Sequence, residues 1–372
     1  MRLSKSVLDQ READAVSAVL LKDGYLGMGA EVGRFEQDIA AYIGVPAAHV
    51  VCVNSGTAAL HLAVAAILVP GDEILVPSLT FLASYQAISA TGAIPVHCEI
   101  RADTLTLDLK DAAARITERT RAIMPVHYAS NPYAREELYS FAREHGLRVI
   151  EDAAHAFGCT YDGRKIGSEG DIVCFSFDGI KNITSGEGGA IVTSDQSVLN
   201  IVKDTRLLGV EKDSEKRYSG MRSWDFDVTR QGYRYHMSNL FAAIGRVQLS
   251  KLDTLFAPKR KALARLYRDL LESHRGVRLQ TLEERADIVS HILPIRVLEG
   301  KRDGLRAFLE EKGIPTGIHY KPNHLLTFYG GGGQRLPVTE AVYEEILSLP
   351  LHPELEEGDI KHIVALINEY LG

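Results

Sequence analysis

Short apolar runs alternate with longer mixed segments between residue 50 and about residue 195. These runs are short and rich in β-branched residues, a pattern that predicts buried β-strands. The predicted strands cover residues 50–53, 73–76, 94–99, 122–126, 148–151, 171–177 and 189–193. Helices are predicted between several of them, at residues 57–68, 82–91, 109–116 and 134–145. Strands that alternate with helices predict an α/β layer fold with a mostly parallel seven-stranded sheet.

The C-terminal third has a different pattern. Residues 239–272 are dense in helix formers and repeat apolar positions every three or four residues, which predicts a long amphipathic helix. A strand at 289–297 and helices at 303–312 and 359–371 follow. We therefore predict a large α/β domain over residues 1–240 and a smaller α+β domain over residues 241–372.

Composition and charge exclude several classes of protein. The chain has 372 residues, of which 45% are hydrophobic, so it contains enough apolar material for a large core and is not disordered. Its 42 basic and 49 acidic residues give a net charge of −7. We expect no general attraction to nucleic acid or to an anionic membrane, so an anionic ligand needs a local site.

The sequence also shows no membrane or secretory segment. The longest apolar stretch, residues 58–69, is far shorter than the ~20 residues that span a bilayer. The N-terminus is polar and charged, unlike a secretory signal, so a cytoplasmic location is expected. The four cysteines are widely spaced and form no zinc-binding pair, and no metal site is predicted.

Polar residues follow several predicted strands at the point where each strand ends. Ligands of open α/β sheets bind at this edge. After the first strand, Ser55, Gly56 and Thr57 begin a helix, whose free N–H groups and dipole favour a phosphate. An ordinary N-cap explains the same residues. Phe81 follows the second strand, where its ring could stack on a flat ligand or simply fill core.

Two later strand ends carry ionisable groups. Asp152 and His155 follow the fifth strand, and a buried Asp needs a partner such as a protonated ring nitrogen. A helix cap with a surface histidine is the alternative. Lys181 follows the sixth strand, where desolvation would free its amine as a nucleophile, unless it is a solvated loop lysine. The Ser176 hydroxyl could bind a phosphate or the neighbouring backbone.

These features together match the needs of one cofactor. Pyridoxal 5′-phosphate (PLP) requires a lysine for its aldehyde, a carboxylate for its ring nitrogen and a helix N-terminus for its phosphate. Each feature alone has a structural explanation, but all of them fall at strand ends of one predicted domain. The sequence therefore predicts a PLP site.

Several longer motifs, in the same order along the chain, resemble those of the DegT/DnrJ/StrS sugar aminotransferases. They are SGTAALHL (55–62), PSLTF (77–81), EDAAH (151–155), FSF (175–177) followed by KN (181–182) and GEGG (186–189), GYRYHM (232–237) and SLPLHP (348–353). The resemblance runs over nearly the whole chain. It implies a fold-type I PLP-dependent enzyme of the aspartate aminotransferase superfamily, a homodimer whose active sites use both subunits.

The resemblance also implies a role for each residue at the strand ends. Lys181 would form the Schiff base and later move a proton, and Asp152 would hold the pyridine N–H. His155 would lie near the ring, where relatives have Gln or His, and Phe81 would stack on the ring face. The residues implied in phosphate binding are Gly56, Thr57 and Ser176.

The implied reaction moves an amino group from L-glutamate to a nucleotide-linked keto-sugar, more often at C4 than at C3, for surface polysaccharides such as O-antigen lipopolysaccharide or for glycosides. Tyr25, His319 and Tyr320 resemble residues that line the sugar pocket. The lysine at 181 argues against relatives that have His there and are dehydratases. The alternatives are an aminotransferase for a cyclitol or another non-nucleotide ketone, and a non-catalytic regulatory protein.

One motif departs from the family pattern. Many relatives have GYNYR, whose Asn reaches the cofactor phosphate of the partner subunit, but this chain has GYRYHM. Arg234 occupies the Asn position, and His236 is the next candidate for that contact. Positive charge for a diphosphate could come from four basic residues that are otherwise ordinary surface charges. These residues are Arg222, Arg230, Arg234 and Lys321.

Overall fold

The computed structural model describes residues 1–211, 213–221, 224–330 and 333–372. Within these ranges the α-helices are α1 (Gln10–Ala18), α2 (Ala30–Ile43), α3 (Gly56–Ile67), α4 (Leu82–Ser89), α5 (Leu109–Ala114), α6 (Arg135–Glu144), α7 (Gln196–Thr205), α8 (Asp213–Tyr218), α9 (Asn239–Lys251), α10 (Ala257–Leu271), α11 (Arg302–Glu311), α12 (Pro337–Glu345) and α13 (Glu357–Leu371). The strands are β1 (Val50–Val53), β2 (Glu73–Pro77), β3 (Ile94–Cys98), β4 (Thr120–Ile123), β5 (Arg148–Asp152), β6 (Thr160–Tyr161), β7 (Arg164–Lys165), β8 (Ile172–Ser176), β9 (Gly189–Val192), β10 (Val277–Leu279), β11 (Ala286–Asp287), β12 (Leu293–Val297) and β13 (Ile346–Leu349).

The largest sheet has seven strands in the order β1-β9-β8-β5-β4-β2-β3. Only β9 runs against its neighbours, β1 and β8, and the other pairs are parallel. All seven predicted strands take part, so the predicted α/β fold with a mostly parallel sheet is confirmed. Strands buried on both faces read as continuous apolar runs, and β1 and β8 are buried at every position.

The predicted helix at 239–272 is interrupted. A five-residue π-helix, Leu252–Phe256, separates α9 from α10. Pro258 lies in the first turn of α10, directly after this π-helix, and has no N–H to continue the hydrogen-bond series. The apolar spacing continues through the junction, which explains why the sequence pattern does not reveal it.

A second hydrophobic core forms in the C-terminal region. The antiparallel sheet β10-β12-β13 packs with α10, α11 and α13 around a buried cluster that begins at Leu263. Phe256 and residues of α9 belong instead to the core of the large sheet. The domain boundary at 240/241 stays a prediction. Within the described ranges, no helix combines the length and apolar character needed to cross a membrane.

A buried ion group fixes the strand that leads into the candidate site. The Glu151 carboxylate on β5 is fully buried and accepts hydrogen bonds from His127 Nε2 at 2.7 Å, Arg135 Nη2 at 2.9 Å and Tyr139 OH at 2.5 Å. Burial opposes ionisation, but His127 and Arg135 outweigh it and lower the pKa of Glu151 to about 2. Because Asp152 follows directly, these contacts also hold the end of β5.

We expect Glu151→Gln to lower the free energy of unfolding by about 3 kcal/mol at pH 7, because it leaves Arg135 without its buried counter-charge. The folded-state pKa lies below the unfolded value, so the wild-type advantage is present above about pH 4.5 and is lost as the pH falls toward 2. Urea unfolding of both proteins from pH 7 to pH 3 measures this. Glu137→Gln, at an exposed position of α6, is the matched control, and a pH-independent difference would contradict the prediction.

Candidate functional site

A cavity of about 360 Å³ opens at the carboxyl ends of β5 and β8, beside the start of α3. Segments far apart in the chain form its walls. The residues that sequence analysis selected and that line it are Gly56, Thr57, Phe81, Asp152, His155, Ser176, Lys181, His319 and Tyr320. The strand-end residues thus converge on one site.

A larger open groove of about 880 Å³ lies between α1, α2 and α9. It shares no residue with this cavity. The Arg246 guanidinium in the groove pairs with Glu31 at 2.8 Å and with Asp38 at 2.6 Å. These charged residues satisfy one another, and none of the residues that sequence analysis selected lines the groove, so we place the chemistry at the smaller cavity.

The start of α3 forms an anion cradle. Ser55 caps the helix, and the first N–H groups of a helix have no intrahelical partner. Glycine is required at 56, because a Cβ there would lie 2.7 Å from the Cβ of Ser176. A Cβ at Gly189 would likewise meet the Ser55 carbonyl oxygen at 2.5 Å. This close packing of α3 against β8 and β9 brings the helix N-terminus and the Ser176 hydroxyl to one point, which suits a phosphate.

Asp152 ends β5 and is 5% exposed. Its Oδ2 accepts a hydrogen bond from Ser84 Oγ at 2.7 Å, and its Oδ1 accepts one from the Ala154 N–H at 3.2 Å. Burial raises the pKa of Asp152, against the effects of Ser84 and of the nearby Lys181 charge. A buried carboxylate of this kind favours a cationic N–H partner. Sequence analysis missed Ser84, whose only signal is its place in the first turn of α4.

Lys181 presents its amine to the same cavity. Burial lowers the pKa of Lys181 to about 8, although the charges of Asp152 and Asp178 oppose that shift. About a tenth of the amine is therefore unprotonated at pH 7, far more than for a free lysine side chain, and a nucleophile requires this form. The solvated loop lysine that the sequence left open is not what the structure shows.

Three histidines and a tyrosine form the remaining polar wall. His155 Nε2 is 3.2 Å from the Tyr320 OH, and the rings of His155 and His291 are 4.5 Å apart. Burial and the Lys181 charge lower the pKa of His155 and of His291 well below 6.5, and they lower that of His319 to about 4. All three are neutral at pH 7. Sequence analysis missed His291, which has no motif and lies just before an apolar run.

The other predicted residues lie at or outside the mouth. Phe81 is 56% exposed, with its ring 5.4 Å from that of Tyr320, so it does not fill core. Tyr25 and Arg234 do not line the cavity of their own chain. Tyr25 packs on Gly29, and Arg234 is exposed. Arg230 and Lys321 are also exposed, and Arg222 lies outside the described residues.

Comparison with known proteins adds a second line of evidence. The model of the DegT/DnrJ/EryC1/StrS aminotransferase family matches residues 6–368. The spore coat polysaccharide biosynthesis protein SpsC of Bacillus subtilis (strain 168) is 35% identical over 359 residues, which cover 94% of this chain and 92% of SpsC.

Solved structures share the fold over nearly their whole length. S. venezuelae DesV has a TM-score of 0.89 at 35% identity and covers 97% of this chain, which covers 94% of DesV. Spr1654 from Streptococcus pneumoniae is known in PLP and PMP forms. Its PLP form has a TM-score of 0.89 at 27% identity, with both chains covered completely.

We expect acylation of Lys181 in the cofactor-free protein to rise with a midpoint near pH 8, whereas a free lysine side chain has a pKa of about 10.4. Trace labelling with acetic anhydride, read at the Lys181 peptide by mass spectrometry, measures the midpoint. Asp152→Asn should lower it further, because the carboxylate charge stabilises the ammonium. A midpoint near pH 10 in the wild-type protein would show that the amine is solvated.

Proposed function

Because the chain belongs to the DegT/DnrJ/EryC1/StrS aminotransferase family and has the fold-type I architecture, we propose that it transfers an amino group from L-glutamate to a nucleotide-linked keto-sugar. Family membership makes it a PLP-dependent transaminase with a role in amino-sugar biosynthesis. The donor, the nucleotide and a 4-keto-6-deoxy sugar are our proposal. The observation that carries it is one cavity that combines Lys181, Asp152 and the anion cradle.

The residues of the cavity fit PLP at its three functional groups. The backbone of Gly56 and Thr57 and the hydroxyl of Ser176 would hold the phosphate. The Asp152 carboxylate would accept the ring N–H, and Lys181 would bind the aldehyde carbon. These are our role assignments. The fit is supported by the crowding at position 56, which only a glycine relieves.

When bound, PLP supplies a carbonyl for the amino group and a ring that withdraws electrons from the reacting carbon. Asp152 would keep the ring nitrogen protonated, because a cationic N–H would stabilise its buried carboxylate. The Lys181 amine takes a proton from the donor and returns one to the acceptor, which its pKa of about 8 permits. Phe81 would cover the ring face of the bound cofactor, and His155, which also lines the cavity, would lie near the ring.

Substrate contacts fall to neutral groups within the chain. His319 and Tyr320 line the cavity beside Lys181, and we assign them to the sugar. Tyr25, which does not line the cavity of its own chain, would contact the sugar in the site of a second subunit. Among the described residues that line the cavity, none is an arginine. A diphosphate would therefore draw on basic residues outside this wall, such as Lys321 or groups of a second subunit.

We assign a second copy of the chain as the partner that completes each site. Arg234 faces outward while the backbone of its segment is fixed, because the Tyr235 carbonyl accepts a hydrogen bond from the Asn54 N–H at 2.7 Å. The preceding segment exposes large apolar side chains, with Trp224 86% and Phe226 55% exposed. Exposed aromatics of this size are typical of interfaces. In the homodimer, Arg234 would replace the family Asn at the phosphate of the partner's cofactor.

Replacing Lys181 tests the function directly. Lys181→Ala should lose the borohydride-reducible adduct with PLP and lose turnover with glutamate by at least about 10³-fold, because the covalent lysine and proton carrier are one group. Absorbance after reduction and peptide mass spectrometry measure the adduct. Lys301→Ala, at an exposed position in the C-terminal region, is the matched control and should keep both properties.

The acceptor is tested in the same assay with the wild-type enzyme. A nucleotide-linked 4-keto-6-deoxysugar should regenerate the starting form of the enzyme far faster than a keto-inositol does. Faster turnover of the keto-inositol would establish the cyclitol alternative. A colourless protein that binds no PLP would overturn the enzymatic assignment.

A mixed-dimer experiment tests the shared site. Arg234→Ala alone should weaken PLP binding by about tenfold, the effect of losing one charged hydrogen bond. When Lys181→Ala and Arg234→Ala chains are co-expressed, each mixed dimer should contain one intact site. At a PLP concentration too low to load the Arg234→Ala sites, the mixture should therefore show about a quarter of wild-type activity, whereas both parent variants are nearly inactive. Activity equal to the mean of the two parent variants would show that Arg234 does not act across subunits.

A further inference from the structure

A histidine outside every sequence motif lies against the reactive lysine. His291 precedes β12, is 2% exposed, and has its Nε2 3.4 Å from Lys181 Nζ. Its ring also packs on that of His155, at an interplanar angle of 51°. The two histidines that line the cavity on this side are therefore in contact with each other, and His291 also contacts the lysine.

Ser130 hydrogen-bonds to the backbone of both histidines. Its hydroxyl donates a hydrogen bond to the His155 carbonyl and accepts one from the His291 N–H at 2.9 Å. Ser130 is fully buried and has φ 72°, and Ala129 before it has φ 51°. Left-handed backbone is unfavourable for residues other than glycine, and such strain is concentrated at functional sites. The strain here places one hydroxyl between two histidine backbones.

Two more buried side chains hold the same segments. Asn182, next to the lysine, donates to the Phe157 carbonyl at 3.0 Å and to the Val289 carbonyl at 2.9 Å. Arg260 on α10 donates to the His291 carbonyl at 3.2 Å. The backbone on both sides of His291 is thus fixed relative to Lys181, which leaves its ring little freedom.

The charges around Lys181 come from two sides. Asp152 and Asp178 favour the ammonium form. His155, His291 and His319 are neutral near pH 7 because burial lowers their pKa values. An ammonium group has three N–H donors and no acceptor, so a neutral imidazole 3.4 Å away can only accept from it.

We propose that His291 is a positioning residue for Lys181: its Nε2 accepts a hydrogen bond from the Lys181 amine and holds that amine at the cavity wall whenever it is free to carry a proton. This inference rests on the proposed function of Lys181. A lysine side chain has four rotatable bonds, and a proton carrier displaced by about 1 Å loses about 10²-fold in rate. His291 restrains the side chain at the stage when no covalent bond does so.

Three substitutions separate this role from simple space filling. His291→Leu keeps much of the volume and removes the acceptor. His291→Gln places an amide oxygen near the position of Nε2, whereas the shorter His291→Asn does not reach it. The positioning role predicts that His291→Gln keeps kcat near the wild-type value and that His291→Leu and His291→Asn both lose it. A packing role predicts that kcat among the variants depends only on how well each side chain fills the volume of the imidazole.

Steady-state kinetics with glutamate give the first readout. In His291→Leu and His291→Asn, kcat should fall about 10- to 100-fold while KM for the donor stays within about twofold, because only the proton carrier is misplaced. His291→Gln should recover most of kcat. His352→Leu, a buried histidine outside the cavity, controls for the loss of a buried imidazole. Equal kcat in all three His291 variants and the wild-type enzyme would overturn the proposal.

The second readout needs no turnover. In cofactor-free protein, the acylation midpoint of Lys181 should lie lower in His291→Leu and His291→Asn than in the wild-type protein, because the ammonium loses an acceptor. His291→Gln should keep the wild-type midpoint. If His291→Leu does not fold, comparison of His291→Gln with His291→Asn still tests the positioning role. An unchanged midpoint in Asn overturns the inference about His291 alone, whereas a wild-type protein that forms no PLP adduct overturns the proposed function.

Discussion

An ionisable side chain that leaves water must gain a partner or lose its charge, and the architecture of the cavity follows from this constraint. The Glu151 carboxylate gains three donors, remains ionised and fixes the end of β5. Asp152, the next residue, has weaker compensation, so burial raises its pKa and it favours a cationic partner. Lys181 receives too little opposite charge to offset burial and has a lowered pKa. Glu151 thus favours its charged form, whereas burial shifts the neighbouring Asp152 and Lys181 toward their neutral forms.

The sequence predicts the half of the site that lies next to strand ends. Parallel strands are buried on both faces, so their apolar runs are easy to recognise, and the first polar residue after each run marks the common edge. Asp152 directly follows the predicted strand 148–151, and Lys181 lies four residues after the predicted strand 171–177. His291 and Ser130 do not follow from this rule. His291 contacts Lys181 and Ser130, which lie 110 and 161 positions earlier in the chain, and Ser130 has left-handed backbone. No local pattern encodes such contacts.

One wall of the cavity offers its substrates hydrogen bonds rather than charges, although Asp178 and Glu187 also line the cavity. Neutral imidazoles and a phenol line the side that faces Lys181, and the described lining residues include no arginine. Under the proposed function, the same place must admit a dicarboxylic amino acid and then a sugar. Neutral donors and acceptors can serve both, since a hydroxyl and a carboxylate each accept hydrogen bonds. Strong anion binding inside the cavity would favour one half of the reaction over the other.

Ser130 has a consequence for attempts to redesign the enzyme. One hydroxyl bonds to the backbone of both His155 and His291, so positions 130, 155 and 291 form a single mechanical unit. A library that varies His155 alone to accept a new sugar would replace the ring that packs against His291 at 4.5 Å, and so change the surroundings of the ring beside Lys181. Variants with a new acceptor preference therefore have to be selected with positions 130, 155 and 291 varied together. A single substitution there would alter both specificity and proton transfer.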